Sequence, residues 1–336
     1  MKLAIYGYDT IVGKLVLEGL EDSALAIDEF YPLSPLSAEY DAVPLRGKNH
    51  VISCVDEFEF SKADVALFLT TRDESERLIP QAQAAGCIVV DNSHLFSGAD
   101  AAPVVLGDVN PYDITKVMIK KLASVPLATT AQLVTILNPL HDTYGIGNAV
   151  VTAMVAVSEH GELGTQTLAR ETTQLLNGMS IDVADFPAQL AFNIHTRMGE
   201  IDSDGISELE KTVRNETASL MEDFVSGLSL TCIQVPTFYG HTMSIHVELE
   251  EDCSLEDFRK ALSESPAIAF EDELEDKVMV TPVSCAELDN RIYISRIRKQ
   301  GRCCFDFTCV MDNTRHGEAG CALELLNMIQ KELNKR

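Results

Sequence analysis

The chain has 336 residues, with 52 acidic and 26 basic side chains and a formal net charge of −26. This acidity argues against binding to nucleic acids or anionic membranes, because both need a basic surface. At about 150 residues per domain, the length predicts two domains. The nine cysteines form no CxxC pair, and there is no apolar run of signal-peptide or membrane-spanning length. These features predict a cytoplasmic protein with reduced thiols and without a metal site.

The first third of the chain alternates short apolar runs with helical patterns. Strands are predicted at residues 3–6, 65–69 and 87–90, and helices at 15–20 and 74–85. Alternating strands and helices imply a parallel sheet joined by right-handed crossovers. Because these strands are continuously apolar, the sheet is expected to be covered on both faces.

From about Thr129 the pattern changes to longer helices followed by several strands in succession. Helices are predicted at 129–144, 163–176, 207–224 and 318–335, and strands at 149–158, 230–235, 242–248, 277–280, 292–297 and 305–310. Successive strands favour a mostly antiparallel α+β domain with a large sheet. The last helix is amphipathic and so should pack one face on a core.

Short motifs accompany these elements in a fixed order along the chain. They are the Gly7 to Gly13 turn, Asp91-Asn92-Ser93, Asp108-Val109-Asn110-Pro111, Gln132-Leu133-Val134, Gly240-His241-Thr242, Arg296-Ile297-Arg298-Lys299 and Asp312-Asn313 with Arg315 and Gly317. Together they resemble aspartate-semialdehyde dehydrogenases over nearly the whole length. The Gly7 to Gly13 turn alone would be a weak signal. The resemblance therefore depends on all of these motifs occurring in this order.

The resemblance implies an α/β fold with two domains. A Rossmann-like NADP-binding domain would comprise residues 1–127 and 317–336. An α+β dimerisation and catalytic domain with a large mixed sheet would comprise residues 128–316. It also implies a homodimer, and a heterodimer with an active paralogue is the alternative.

The chemistry of that family needs a thiolate nucleophile, a base and an arginine that pairs with the substrate carboxylate. Here Ala128 stands at the cysteine position and has no nucleophilic atom. Val155 stands at the position of the orienting glutamine, and Gln234 at that of the arginine. His241 matches the base and is interpreted as a vestige. The neighbouring Thr129 is predicted to be a helix N-cap.

The phosphate-binding cations are also replaced. Ser97 stands where the resemblance places an arginine, and Thr212 where it places a lysine. Lys211 is one position away and is therefore turned about 100° around its helix. Lys211 remains a possible partial substitute.

The resemblance assigns cofactor contacts to positions that this chain keeps only in part: Gly7, Thr10, Val12, Gly13, Asn92, Ser158, Gly161 and Asn313. Thr10 replaces the middle glycine of the turn, where its branched side chain should crowd a phosphate. Asp9 adds negative charge there, and Ser37 stands where an arginine would hold the 2′-phosphate. We therefore expect NADP binding to be weak or absent.

The remaining thiols offer no clear substitute nucleophile. Cys309 lies in an alternating segment and is predicted to pack on one face of a strand, and Cys232 follows the same logic. The sequence therefore favours a catalytically degenerate paralogue similar to the Usg-type group, with a binding or regulatory role and an unidentified small-molecule ligand. The alternative is an active NAD(P)-dependent oxidoreductase with a shifted substrate, using His241 without a covalent thioester.

Overall fold

The structure is a computed structural model that describes residues 1–35, 41–96, 102–221, 224–274 and 279–335. Its strands are β1 (Lys2–Tyr6), β2 (Glu29–Ser34), β3 (Ala42–Leu45), β4 (Lys48–Val51), β5 (Ser53–Cys54), β6 (Val65–Phe68), β7 (Ile88–Asp91), β8 (Leu122–Ser124), β9 (Ile146–Val155), β10 (Leu228–Gln234), β11 (His241–Leu249), β12 (Ile268–Phe270), β13 (Ile292–Gln300) and β14 (Cys304–Met311). Its α-helices are α1 (Ile11–Asp22), α2 (Arg72–Ala84), α3 (Ile114–Lys120), α4 (Ala128–Tyr144), α5 (Gly161–Leu176), α6 (Glu208–Leu220), α7 (Leu255–Ser263) and α8 (Cys321–Leu333). A π-helical segment, Asn313–Gly320, precedes α8.

The chain divides into two compact units. Unit 1 comprises Met1–Leu127 and Glu318–Arg336, and unit 2 comprises Ala128–Gly317. Unit 1 contains a six-stranded sheet in the order β5-β2-β1-β6-β7-β8, in which every neighbouring pair is parallel. All residues of β6 and β7 are buried, as expected for a parallel sheet with both faces covered.

The helices of unit 1 each bury one stripe of side chains. In α2 the buried positions are Ser75, Leu78, Ile79 and Ala82, which follow the spacing of one helix face. The C-terminal helix α8 packs close to α1, where a Cβ on Gly19 would lie 2.3 Å from Leu323 Cδ1. Here Gln330 binds the backbone of Ala26 twice, accepting from its N–H at 3.0 Å and donating to its carbonyl at 2.7 Å.

Unit 2 contains a mixed six-stranded sheet in the order β10-β9-β11-β14-β13-β12. The three central pairings are antiparallel, whereas β10 with β9 and β12 with β13 are parallel. Strand β11 alternates buried and more exposed residues along its length, so one face of the sheet forms a core. Helix α4 is buried on all sides through its first ten residues.

The structure confirms the predicted fold class and most of the predicted elements. The strand predicted at 277–280 falls partly outside the described residues, and Met279 and Val280 are not in a strand. The sequence did not predict the strands β2 to β5, β8 and β12 or the helices α3 and α7. The two- and three-residue strands β5, β8 and β12 offer too little pattern to identify. No helix formed by the described residues is both long and apolar enough to cross a membrane.

Candidate functional site

The turn between β1 and α1 keeps two of the glycines that the sequence analysis singled out. Gly7 has a φ of +90°, and a Cβ there would lie 2.1 Å from the carbonyl oxygen of Leu69. A Cβ on Gly13 would lie 2.1 Å from the carbonyl oxygen of Gly7. Both positions therefore require glycine to bring the turn and the helix together.

Thr10 has a structural role in this turn. Its hydroxyl donates to the Gly7 carbonyl at 2.8 Å and accepts from the Gly13 N–H at 3.0 Å, and so caps α1. Backbone N–H groups at a helix start are the donors that normally bind a pyrophosphate. In this chain one of them is already occupied by a side chain.

The other predicted cofactor positions in unit 1 are similarly engaged or lie outside the described residues. Asn92 follows β7, and its amide nitrogen donates to Glu318 at 2.9 Å, while its buried Oδ1 has no partner among the described residues. Val12 is half-buried in the first turn of α1. Ser37 and Ser97 fall outside the residues that the structure describes.

The predicted nucleophile position lies at the start of α4 in unit 2. Ala128 is the first helical residue and is 1% exposed. A Cβ on Gly317 would lie 2.4 Å from the Ala128 Cβ, so the backbone of the π-helical segment packs directly on this methyl group. Thr129 is fully buried inside the first turn, and its hydroxyl has no partner among the described residues. The prediction that Thr129 caps this helix is therefore wrong.

His241 begins β11 and is completely buried. Its Nδ1 accepts from the Ala156 backbone N–H at 3.3 Å, so this nitrogen carries no proton. Its Nε2 therefore carries the proton of the neutral ring, and donates to the Glu159 carboxylate at 3.0 Å. Both ring nitrogens are thus occupied by groups of the protein itself.

A second hydrogen-bonded group surrounds Asn313. Its Oδ1 accepts from the Gly240 N–H at 2.9 Å, and its Nδ2 donates to the Ser158 hydroxyl at 3.0 Å. Asn313 is fully buried and Ser158 nearly so. The polar atoms assigned to cofactor binding at these two positions are therefore held by one another. Gly161, with a φ of +60°, opens α5 just beyond them.

Val155 and Gln234 lie directly opposite each other at the ends of β9 and β10. Val155 is completely buried and apolar, so it offers no hydrogen bond at the glutamine position. Gln234 is 3% exposed, and its Nε2 has no partner among the described residues. The structure therefore brings the positions expected to orient the substrate side by side, without the charge that the resemblance implies.

Gln234 also lines a cavity of about 490 Å³ in unit 2. Other lining residues include His160, Asp185, His195, Arg197 and Glu200. The sequence analysis missed Asp185, His195, Arg197 and Glu200, because they belong to an irregular segment with no periodicity or motif to reveal them. His160 belongs to Ser158-Glu159-His160-Gly161, which corresponds to the Ser-Gly-x-Gly turn that the resemblance implies, and the sequence assigns its side chain no role.

The helix α6 does not supply a clear replacement for the missing lysine. The Thr212 hydroxyl donates to the Glu208 carbonyl within the helix, which is an ordinary local hydrogen bond. Lys211 is exposed. Glu210 completes a capping box with Ser207 and also accepts from the Cys232 N–H at 2.8 Å, so it fixes the start of α6.

The thiols predicted to lie in the core are buried. Cys309 is completely buried in β14, and burial raises its pKa to about 12. Burial also raises the pKa of Cys232, which is completely buried in β10. Neither thiol is ionised near neutral pH, and a thiol attacks only as its thiolate. Within the described ranges, no group of three or more His, Cys, Asp or Glu side chains is placed to hold a metal ion.

Comparison with known families matches both units to one kind of protein. Residues 2–117 match the family described as the NAD binding domain of semialdehyde dehydrogenases. Residues 137–316 match the family described as their dimerisation domain.

Individual relatives agree over nearly the whole chain. The chain is 30% identical to an aspartate-semialdehyde dehydrogenase of Legionella pneumophila, over 99% of this chain and 96% of that protein. It is 28% identical to a USG-1 protein homolog of Azotobacter vinelandii, over 98% of each. Among solved structures, aspartate semialdehyde dehydrogenase II of Vibrio cholerae, complexed with ASA, superimposes with a TM-score of 0.91 at 28% identity, covering 98% of both chains.

The hydrogen bond between His241 Nε2 and Glu159 leads to a prediction about the stability of the protein. Glu159→Ala would leave the buried Nε2–H without an acceptor, and should lower the free energy of unfolding by about 1–3 kcal/mol. Glu159→Gln keeps an oxygen in reach and should cost clearly less. Urea denaturation of both variants measures this difference, with exposed Glu200→Ala as a control expected to change little. Equal stability of Glu159→Ala and the unmodified protein would show that the contact does not hold His241.

Proposed function

Because this chain belongs to the aspartate-semialdehyde dehydrogenase family, we propose that it is a member that lacks the covalent chemistry of that family and has a binding or regulatory role. The thioester route begins with attack by an ionised thiol. Ala128 supplies no such atom, and the buried Cys309 would need a pH near its pKa of about 12 to ionise. The fold persists while the reacting group is absent.

The observation that carries this proposal is the occupied state of both nitrogens of His241, in the same unit as the buried Ala128. A general base needs a free lone pair within reach of the proton that it accepts. The Nδ1 lone pair is taken by the Ala156 N–H, and Nε2 holds a proton directed at Glu159. The alternative function, an oxidoreductase with a shifted substrate and His241 as its base, would have to break one of these contacts. The geometry therefore favours the non-catalytic role.

Weak binding of NADP is part of the same proposal. Thr10 occupies the Gly13 N–H that a pyrophosphate would use, and the adjacent Asp9 is exposed and negatively charged. Asn92 is tied to Glu318. The donors of unit 1 that would contact the cofactor therefore fit it poorly, although the NAD binding domain itself is retained.

A homodimer is proposed from the dimerisation domain and from the sheet of unit 2. One face of this sheet is buried, while its other face presents Val150 and Ser244 exposed and Thr152 and His246 in intermediate positions. This face leaves Val150 44% exposed in a central strand, where a partner could cover it. A second copy of the chain is the partner that the family implies.

The first of three predictions from this proposal concerns activity. The purified protein should not oxidise aspartate semialdehyde in the presence of phosphate and NADP. Ala128→Cys alone should also be inactive, because His241 has no free nitrogen that could accept a proton during the reaction. Ala128→Cys combined with Glu159→Gly should stay inactive as well, because Nδ1 still accepts from the Ala156 N–H and Nε2 still carries the proton. Absorbance of NADPH measures the rate, and circular dichroism verifies folding. Phosphate-dependent turnover by the unmodified protein would refute the proposal.

The second prediction concerns the cofactor turn. Thr10→Gly frees the Gly13 N–H and removes the branched side chain, and should tighten NADP binding several-fold in a calorimetric titration. Thr71→Gly is the matched control, since it also removes a capping hydroxyl but at the start of α2. Micromolar binding by the unmodified protein, unchanged in Thr10→Gly, would contradict the proposed weakening.

The third prediction concerns assembly. Sedimentation should give a particle of two copies of the 36.8 kDa chain. Val150→Arg places a charge on the uncovered face of the sheet, where Val150 is 44% exposed, and should shift the population to monomers. Val51→Arg, on the exposed hairpin of unit 1, should leave the dimer intact. A monomer at every concentration of the unmodified protein would exclude the dimer.

A further inference from the structure

A long irregular connection joins α5 to α6 in unit 2. Residues 177–207 form no α-helix and no strand, and contain only isolated bridges to the rest of the unit or within the connection. Loops longer than about 12–15 residues without secondary structure are uncommon in compact domains, and usually either carry a function or are disordered. This connection is tied to the unit by specific hydrogen bonds, which favours a function.

The first tie is a buried carboxylate of α5. Glu171 is 1% exposed, and its Oε2 accepts from the backbone N–H groups of Leu190 at 2.7 Å and Ala191 at 2.9 Å. Leu190 and Ala191 are themselves buried in a cluster with Val157 and Leu168. The backbone just before residue 192 is therefore fixed.

The backbone just after residue 192 is fixed as well. His195 and Gln234 exchange two backbone hydrogen bonds of 2.9 and 3.0 Å. The amide of Asn193 donates to the Gln189 carbonyl at 2.9 Å and accepts from the Ile194 N–H at 2.9 Å. Residues 189–195 thus form one closely hydrogen-bonded turn.

This turn holds Phe192 in an unfavourable state in two respects. Its φ is +58°, which is rare for a bulky residue, and its side chain is 67% exposed to water. The neighbouring Ile194 is 55% exposed. Backbone strain of this kind persists only where the surrounding structure imposes it, and it clusters at functional sites. A fixed, exposed aromatic side chain is also a suitable interface anchor, because little freedom is lost when it binds.

The composition of unit 2 indicates a second copy of the chain as the partner. Homodimer interfaces are about 65% apolar and bury on the order of 800 Å² per partner. The uncovered sheet face is too polar for this, since Val150 is the one large apolar residue that is exposed among the described strand residues of that sheet. The α5–α6 connection supplies the missing apolar surface, with Phe192 and Ile194 at its centre.

The connection also continues the same sheet. His195 pairs with the end of β10, which is the edge strand. Both features lie within residues 137–316, which match the dimerisation domain. We propose that Phe192 and Ile194 are apolar anchors with which one copy of the chain binds a second. This inference rests on the homodimer proposed above and adds residues that hold it together. In a two-fold dimer both copies present the same turn, so each anchoring contact occurs twice.

Phe192→Asn tests the anchor without straining the fold, because Asn tolerates a positive φ. It should raise the Kd of the dimer at least about tenfold in sedimentation equilibrium, with circular dichroism verifying folding. Tyr112→Asn is the matched control, since Tyr112 is an aromatic residue of unit 1 that is 71% exposed, and it should leave the Kd unchanged. An unchanged Kd in folded Phe192→Asn, or equal weakening by both variants, would overturn the inference and leave the homodimer standing. A monomer at every concentration of the unmodified protein would remove both.

Photo-crosslinking gives a test that does not depend on affinity. With p-benzoylphenylalanine in place of Phe192, illumination of a mixture of isotopically light and heavy protein should give a covalent product that contains one copy of each. The same probe in place of Tyr112 should give no such product. If a dimeric sample crosslinks from position 192 only within one copy, the anchor does not contact the second copy and the inference is wrong.

Discussion

The arrangement of unit 2 depends on the buried contact between Glu159 and His241. A carboxylate removed from water is costly unless it is paired, and a buried imidazole needs partners for both nitrogens. Each satisfies this requirement for the other, with the Ala156 N–H completing the set. Glu159 stands in the Ser-x-x-Gly turn where the family resemblance implies a glycine. The carboxylate that encloses His241 therefore stands in that turn, and under the proposed non-catalytic role no free base is needed beside Ala128.

The net negative charge of the chain acts differently at long range and at a binding site. A net charge of −26 opposes the approach of any anion over long distances, but solvent and salt screen this field within about 10 Å. Binding of a small anion is then decided by the few groups that face it. The chain lacks cations at Gln234 and Thr212, yet Arg197 places one at the wall of the same cavity that Gln234 lines.

Much of the fold could be predicted from the sequence because its strands and helices have strong local patterns. The apolar runs of β1, β6 and β7 and the alternation of β11 were visible directly, and motif order indicated the family. Strands β5, β8 and β12 are too short to identify from a pattern. Thr129 resembles a helix cap by residue type, but α4 already begins at Ala128. The partner of His241 is 82 residues away in the chain, so only the folded structure could pair it with Glu159. His195 and Arg197 come from an irregular segment, where no periodicity marks a side chain as functional.

The buried polar atoms of unit 2 differ in whether the protein itself supplies their hydrogen-bond partners. The ring nitrogens of His241 and the side-chain amide of Asn313 are matched within the protein, so a ligand at these atoms would have to displace existing contacts. The Thr129 hydroxyl is unmatched but is sealed beneath the first turn of α4 and faces no described partner. Gln234 Nε2 differs from both, because it is unmatched and its residue lines a cavity. Replacing that amide by an apolar side chain of similar size is therefore expected to cost little stability or to increase it.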